Sequence, residues 1–172
     1  MQIRKKTAGI KQIELIEEDL TGGAIEQIWF LLRDHTNLRP DVGLSDQILL
    51  EVPLTQINPE VLISVNLLNQ LDIILCDYIQ KQGHFQQSTL TPFRTAIQAF
   101  HLQWMSKFPA CLITDISEEL QDKNGNKSAK TLLHTDLPQG LRRDKWWWDF
   151  DNQGTYHPGS RTRMEVQAIE WS

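Results

Sequence analysis

Residues 145–150 read Lys-Trp-Trp-Trp-Asp-Phe, and turn-forming residues follow at 152–154, Asn-Gln-Gly. Consecutive aromatic residues bounded by a turn favour a β-strand. Because successive side chains on a strand point to opposite faces, we expect Trp147 on one face of a sheet, and Trp146 and Trp148 on the other. Both faces then need cover, from the chain itself, from a protein partner, or from a planar ligand such as a base or sugar.

Strand-like runs also lie on either side of this segment. Asn124-Gly125 and Asn152–Gly154 separate neighbouring runs and are typical of hairpin turns. The sequence after Pro109 therefore predicts an antiparallel β-meander over residues 110–172. Its strands are predicted at Cys111–Ile116, Lys130–His134, Lys145–Phe150 and Arg163–Trp171.

Residues 20–109 carry helical patterns instead. Thr91-Pro92 is a helix-start signal because the fixed φ of proline suits a first turn, and Phe108-Pro109 closes the segment. Between them, apolar residues recur at the spacing of one helix face, at Phe93, Ile97, Phe100 and Trp104.

Further elements are predicted before Thr91. Asn58-Pro59 predicts the start of a helical region that continues to Ile79. Short strands are predicted at Ile10–Ile16 and Gln47–Val52. An amphipathic helix is predicted after Thr21, and its apolar stripe, expected to face the core, comprises Ile25, Ile28, Trp29 and Leu32.

Length and composition fit one globular domain. The chain has 172 residues, of which 40% are hydrophobic and 23% are charged, which is enough apolar material for one core. We therefore expect a single α+β domain over residues 1–172, in which a helix-rich part (20–109) packs on a strand-rich part (110–172).

Charge and apolar patterning limit the partners and the location of the protein. The formal net charge of -5 means that nucleic-acid binding would need a local basic patch. No apolar run approaches the roughly eighteen residues of a membrane span, and no export signal is visible, so we expect a cytoplasmic protein without a membrane segment. Cys76 and Cys111 lie in apolar surroundings, and we expect both to be buried, reduced thiols.

Basic residues flank the tryptophans and form a candidate contact surface for RNA or for a protein partner. Cations bind phosphates and aromatic rings stack on unpaired bases, so this mixture is typical of single-stranded nucleic-acid binding. Asp144, Asp149 and Asp151 in the same stretch make a solvated face with local ion pairs the competing interpretation. The basic residues are Arg142, Arg143, Lys145, Arg161 and Arg163.

A metal site is a weaker candidate. His134 and Asp136 would share a face of a strand, and Asp151 or His157 would have to complete the site. Residues 149–154 resemble the first half of a calcium loop, but the twelfth position is serine instead of glutamate, which favours a polar hairpin turn. We expect no bound metal and no other cofactor.

Motifs of common enzyme classes are missing from the sequence. It contains no Gly-x-Ser-x-Gly, no P-loop and no glycine-rich dinucleotide fingerprint. His101 lies beside the apolar stripe of the helix after Thr91 and is interpreted as a structural histidine. The sequence therefore predicts a protein that is not an enzyme.

Residues 131–142 read Thr-Leu-Leu-His-Thr-Asp-Leu-Pro-Gln-Gly-Leu-Arg. This segment, with the strands after it, resembles the C-terminal part of the small accessory subunits of type III-D CRISPR effector complexes. The resemblance implies a non-catalytic subunit that packs beside larger RNA-binding subunits of an RNA-guided antiviral complex. The residues that carry it are Leu132, Leu133, Gln139, Gly140, Leu141 and Arg142.

Three hypotheses follow. The first is a non-catalytic accessory subunit of a larger intracellular protein or ribonucleoprotein assembly, with residues 146–148 and the basic residues as its contact surface. The second is a small metal-dependent hydrolase or nuclease centred on His134, Asp136 and Asp151. The third is a module that binds a planar ligand or a sugar on the tryptophans.

Overall fold

A computed structural model describes residues 13–33, 39, 42–82, 85 and 87–172, and confirms the α+β class. Among these residues, no helix is both long and apolar enough to span a lipid bilayer. The elements are α1 (Ala24–Arg33), a 3₁₀ turn (Leu44–Gln47), β1 (Leu62–Val65), α2 (Gln70–Lys81), α3 (Gln87–Met105), β2 (Ala110–Gln121), β3 (Lys127–Thr131), β4 (Arg142–Asp151) and β5 (Arg161–Trp171).

The five strands form one mixed sheet in the order β1-β2-β5-β4, and β3 also pairs with β2. β1 is parallel to β2, and all other pairs are antiparallel. β1 pairs with residues 110–113 of β2 and β3 with residues 117–121, so these two short strands share one edge of β2. The strands after Pro109 thus form two hairpins, β2–β3 and β4–β5, joined through β2 and β5; unlike in a simple meander, β3 and β4 are not neighbours.

The connection between β3 and β4, residues 132–141, crosses one face of the sheet. Leu133 and Leu137 of this crossover pack into the apolar cluster that α3 and β2 build. Gly140 comes so close to β5 that a Cβ atom would collide with Ile169 and lie 2.8 Å from the Glu170 carbonyl oxygen. The crossover therefore covers part of this face of the sheet.

Helix α3 lies over the same face. Leu102 and Met105 pack against Ala110 and Leu112 of β2, and burial of such side chains is the main stabilising contribution to the fold. The helix begins at Gln87, before the predicted start, so Pro92 lies inside it. Pro92 is the sixth residue of the helix, so its missing N–H removes one i→i−4 hydrogen bond, to the Ser88 carbonyl.

Buried polar groups tie α2 and α3 to the crossover. The Asp72 carboxylate of α2 is fully buried, accepts a 2.8 Å hydrogen bond from Gln98 Nε2, and lies 3.4 Å from Arg94 Nη1. Gln98 also donates to the Leu132 carbonyl and accepts the His134 N–H. Burial raises the pKa of Asp72 to about 6, although Gln98 and Arg94 act in the opposite direction.

The structure corrects three predictions in the first seventy residues. Residues after Pro59 form strand β1 instead of the start of a helix, and the helical region is confined to α2. The predicted strand Gln47–Val52 is wrong, because residues 48–52 lie in no strand. Of the predicted strand Ile10–Ile16, residues 13–16 lie in no strand, and residues 10–12 are outside the described range.

Helix α1 confirms the predicted helix but not its single apolar stripe. Ile28 and Leu32 are buried, whereas Ile25 and Trp29 are exposed. The exposed pair lines an apolar groove of about 420 Å³ that Ile74 of α2 closes on the other side. The helix therefore has two apolar faces, of which one belongs to the core.

Candidate interaction surface on the open face of the sheet

The two faces of the sheet differ in their cover. The helix face, which includes Leu112 and Ile169, lies under α3 and the crossover. We call the opposite face the open face. Strand pairing and the alternation of side chains identify the residues that lie on it. Its rows across the strands are Ile63–Cys111–Glu170–Arg142, Val65–Ile113–Ala168–Asp144, Asp115–Val166–Trp146 and Lys130–Glu118–Met164–Trp148.

The open face leaves large apolar side chains in solvent at both of its edges. On β1, Ile63 and Val65 are 67% and 57% exposed; on β4, Trp146 and Trp148 are 42% and 43% exposed. Single exposed apolar residues are ordinary, but exposed apolar side chains on both edge strands of one face are typical of an interaction site. The centre of this face, at Val166 and Met164, is buried.

The tryptophans are not enclosed by the chain on either face. Trp147, which lies on the helix face, is 45% exposed, so the interpretation that this strand is buried on both faces by the chain's own helices is wrong. Trp146 and Trp148 lie opposite Val166 and Met164, which are buried. Each ring thus shields the apolar residue beside it while its outer surface remains in solvent.

An aromatic row continues from Trp148 into the β4–β5 loop. Ring centroids are 5.2 Å apart for Trp148 and Phe150, 5.1 Å for Phe150 and Tyr156, and 4.6 Å for Tyr156 and His157, all edge-to-face. His157 Nε2 in turn lies 2.9 Å from Glu118 Oε1 on β2. The loop is therefore held against the sheet, and the aromatic surface has a fixed shape.

Asp151 determines the conformation of this loop. Hydrogen bonds to its carboxylate, foremost that from the Tyr156 N–H at 2.6 Å, lower the pKa of Asp151 to about 2. This geometry supports a polar turn instead of a calcium loop, because the loop's own groups occupy the carboxylate. The other donors are the N–H groups of Gln153 and Gly154 and the hydroxyl of Thr155.

A cleft of about 670 Å³ adjoins the aromatic row, with α2 as one wall. A bulge in β2 after Asp115 breaks the alternation, so Asp115 and Glu118 both line this cleft although they are three residues apart. Burial alone would raise the pKa of Glu118, but hydrogen bonds from Lys130 and His157 outweigh it and lower the pKa. Glu118 is thus fully engaged.

Asp115 is the unpaired carboxylate of the cleft. It is 7% exposed, and within the described part of the chain its Oδ1 atom accepts no hydrogen bond. Burial raises its pKa. A buried carboxylate without a donor is costly, so this position favours a bound proton or a donor from a ligand or partner.

The predicted basic residues on the helix face are engaged in ion pairs around Trp147. Arg163 Nε lies 3.0 Å from Asp149 Oδ1, and its guanidinium carbon is 4.8 Å from the centroid of the Trp147 ring. Lys145 Nζ lies 3.5 Å from Glu165 Oε1. These contacts fit a solvated face with local ion pairs.

The remaining predicted basic residues do not gather into one patch. Arg142 belongs to the open face and lies 3.1 Å from Asp144, whereas Arg143 donates to the Pro138 carbonyl of the crossover. Arg161 is exposed at the start of β5. Direct RNA contact through these residues stays a prediction.

The structure does not bring the predicted metal ligands together. His134 Nε2 lies 3.2 Å from Arg94 Nη1, Asp136 is exposed, and Asp151 is engaged in its loop. No three His, Cys, Asp or Glu side chains in the described ranges are grouped so that they could hold a metal ion. The geometry therefore provides no support for the metal-dependent hydrolase.

His101 and Cys76 lie in the core, whereas Cys111 lies closer to the surface. His101 is buried, 3.1 Å from Ser64 Oγ, and burial lowers its pKa to about 4, so it is neutral at physiological pH. Cys76 is buried, and burial raises its pKa to about 11. Cys111 is half-buried on the open face, so the prediction that both thiols are buried is wrong for Cys111.

No protein family, curated protein or solved structure matches this chain. The resemblance of residues 131–142 to type III-D accessory subunits therefore stays a prediction. In the fold, Leu133 packs in the core, Gly140 permits close approach to β5, and Leu141 is exposed before β4 begins. Two of the residues that carry the resemblance thus have a structural role in positioning the crossover.

Sequence reasoning missed the β1 side of the open face and the unpaired Asp115. A signal for β1 was present, because residues 61–65 read Val-Leu-Ile-Ser-Val, a short β-branched run. The helix-start signal at Asn58-Pro59 outweighed it. Asp115 carried no local signal, since its isolation depends on the bulge and on the packing around the cleft.

Proposed function

We propose that this chain is a non-catalytic accessory subunit that docks a protein partner on the open face of its sheet. The observation that carries the proposal is the exposure of large apolar side chains at both edges of this face, Ile63 and Val65 on β1 and Trp146 and Trp148 on β4. Protein interfaces combine an aromatic and apolar centre with a polar rim. Here the ion pair between Arg142 and Asp144, beside Glu170, supplies polar groups at one end of the surface.

The charge of the open face supports a protein partner over RNA. Its rows include two basic residues, Arg142 and Lys130, and each is already paired with an acidic one. A phosphate backbone would meet net negative charge on this face, which opposes binding. The acidic residues of the rows are Asp115, Glu118, Asp144 and Glu170.

The cleft supports the non-catalytic part of the proposal. General acid–base catalysis needs a titrating group that is positioned by a second group and free to exchange a proton with a substrate. Glu118 is held by Lys130 and His157, and Asp115 has no positioning partner among the described residues. Asp115 is thus not positioned as a general acid or base, and Glu118 is occupied by two structural contacts.

Residues 131–142 resemble the small accessory subunits of type III-D CRISPR effector complexes, and we propose such a complex as the specific assembly. In this proposal the open face contacts a protein subunit, and that subunit holds the RNA.

Affinity recovery of the tagged chain from its native host, at moderate salt and with or without nuclease, tests the proposal. The matched variants are Trp146→Ser with Trp148→Ser on the open face, and Trp147→Ser on the helix face. The wild type and Trp147→Ser should recover the same stoichiometric protein partner with and without nuclease. The double variant should lose at least about tenfold of it, because truncated aromatic anchors typically cost about 2 kcal/mol or more.

Thermal unfolding of each variant shows whether it remains folded, and a folded double variant that keeps its partner would contradict the proposal. Loss of the partner on nuclease treatment would show that RNA makes the contact. Recovery of the chain alone, or displacement of the partner by a free nucleotide or oligosaccharide, would favour the planar-ligand hypothesis.

A further inference from the structure

Strand β4 has an edge that pairs with no other strand of the described residues. It is the last strand in the sheet order, pairs with β5 alone, and runs ten residues from Arg142 to Asp151. Its side chains are exposed up to Phe150. A long, aromatic edge strand offers a row of free N–H and C=O groups to a further strand.

The charges along β4 are self-complementary about Trp147. Lys145 and Asp149 lie two residues before and two residues after Trp147, on the same face of the strand. If two copies of β4 pair antiparallel about a two-fold axis at Trp147, Lys145 of one copy lies opposite Asp149 of the other. Trp146 then lies opposite Trp148, and the aromatic rings of the two open faces meet.

Symmetry restricts the register of such a pair. Residues directly opposite each other in an antiparallel pair point to the same face, so in a two-fold dimer the register can change only in steps of two residues. A shift of two in either direction places Trp147 opposite Lys145 or Asp149 and separates these two charges. The register centred on Trp147 is therefore the one that keeps both ion pairs and the tryptophan contacts.

Neighbouring charges on β5 extend this complementarity. Lys145 lies 3.5 Å from Glu165, and Asp149 lies 3.0 Å from Arg163. Across the two-fold pair the charges alternate in sign: Glu165 and Lys145 of one copy are followed by Asp149 and Arg163 of the second copy. A charged edge of one sign repels a second copy, whereas this arrangement attracts one.

We infer that β4 pairs with β4 of a second copy of this chain, in the register centred on Trp147, and joins two sheets into one. The inference goes beyond the proposed function, because edge pairing joins the β4 backbones and the charges of the helix face, although Trp146 and Trp148 contribute to both contacts. In the dimer the two open faces lie side by side and form one larger surface. Failure of dimerisation leaves the docking proposal intact, and the reverse also holds.

Sedimentation velocity of the purified full chain over a concentration series tests the inference with a charge-swap design. The wild type should dimerise, to twice its 20.0 kDa mass. Lys145→Asp and Asp149→Lys should each raise the dimer dissociation constant roughly 10- to 100-fold, because two attractive cross-strand pairs become repulsive.

Two combinations distinguish a broken interface from a damaged fold. The double variant Lys145→Asp/Asp149→Lys is again self-complementary and should regain dimerisation. An equimolar mixture of the two single variants should form heterodimers, since each copy then carries one sign only.

The inference is overturned if the wild type stays monomeric at the highest soluble concentration, or if either single variant dimerises like the wild type. It is also overturned if the double variant and the mixture both stay monomeric while circular dichroism shows folded chains.

Discussion

At residues 63–65, strand β1 buries a polar side chain and exposes apolar ones, which is the reverse of an ordinary amphipathic strand. On the helix face, the polar Ser64 is buried beside His101, whereas on the open face the β-branched Ile63 and Val65 are in solvent. Burying apolar area contributes about 25 cal/mol per Å², and on β1 the free chain obtains this contribution from Leu62 but not from Ile63 or Val65. The exposure of Ile63 and Val65 is therefore one basis of the proposal that the open face binds a protein partner.

Truncation on each face gives the largest expected contrast. Leu112→Ala on the helix face should lower the free energy of unfolding by about 2–5 kcal/mol, because Leu112 is fully buried and a cavity would remain. Ile63→Ala on the open face should change it by about 0.5 kcal/mol or less, as for other surface substitutions. Urea denaturation of the free chain measures both.

Equal losses in the two variants would show that the open face is covered by the chain itself. That result would remove the basis of the comparison, since Ile63 would then belong to a second core.

The buried polar pair beneath β1 gives a smaller, pH-dependent effect. His101 has a pKa of about 4 in the fold, against an ordinary histidine pKa of 6.5 in an unfolded chain, so unfolding takes up a proton as the pH falls. The stability that neutral His101 permits is full above pH 6.5 and is lost between pH 6.5 and 4. The advantage of the wild type over His101→Gln should therefore shrink by roughly 3 kcal/mol across this window.

Denaturant unfolding of both proteins at several pH values measures this difference. Asp72, whose pKa of about 6 makes stability fall as the pH rises from 3.8 to 6, acts in the opposite direction but is common to both proteins. A difference that does not change with pH would contradict a buried, neutral His101.

The C-terminal strands were largely predictable because their signals are local. The predicted run Arg163–Trp171 lies within β5, and the turn at Asn124-Gly125 forms with Gly125 at φ +84 and Asp122 accepting the N–H groups of residues 124 and 126. Alternation and turn residues act over a few positions, so a single sequence reveals them.

Features that depend on distant pairing were not predictable. β1 is defined by hydrogen bonds to β2, whose residues lie far along the chain. The local helix-start signal at Pro59 therefore predicted the wrong element. The exposure of all three tryptophans depends on which parts of the sheet the rest of the chain covers, which no pattern in 145–150 encodes. Hence the sequence identified the tryptophan strand as a candidate contact surface but did not predict its opposite edge.

Cys111 is a natural reporter for the central claim, that the open face binds a protein partner. It lies on this face beside Ile63, whereas the other free thiol, Cys76, is buried. The measurement is the rate of maleimide labelling of Cys111 in the free chain and in the complex recovered from the host. Occlusion by the partner should slow labelling at least about tenfold, while Cys76 remains unreactive in both states. An unchanged rate in a stoichiometric complex would contradict the claim, because the partner would then bind elsewhere.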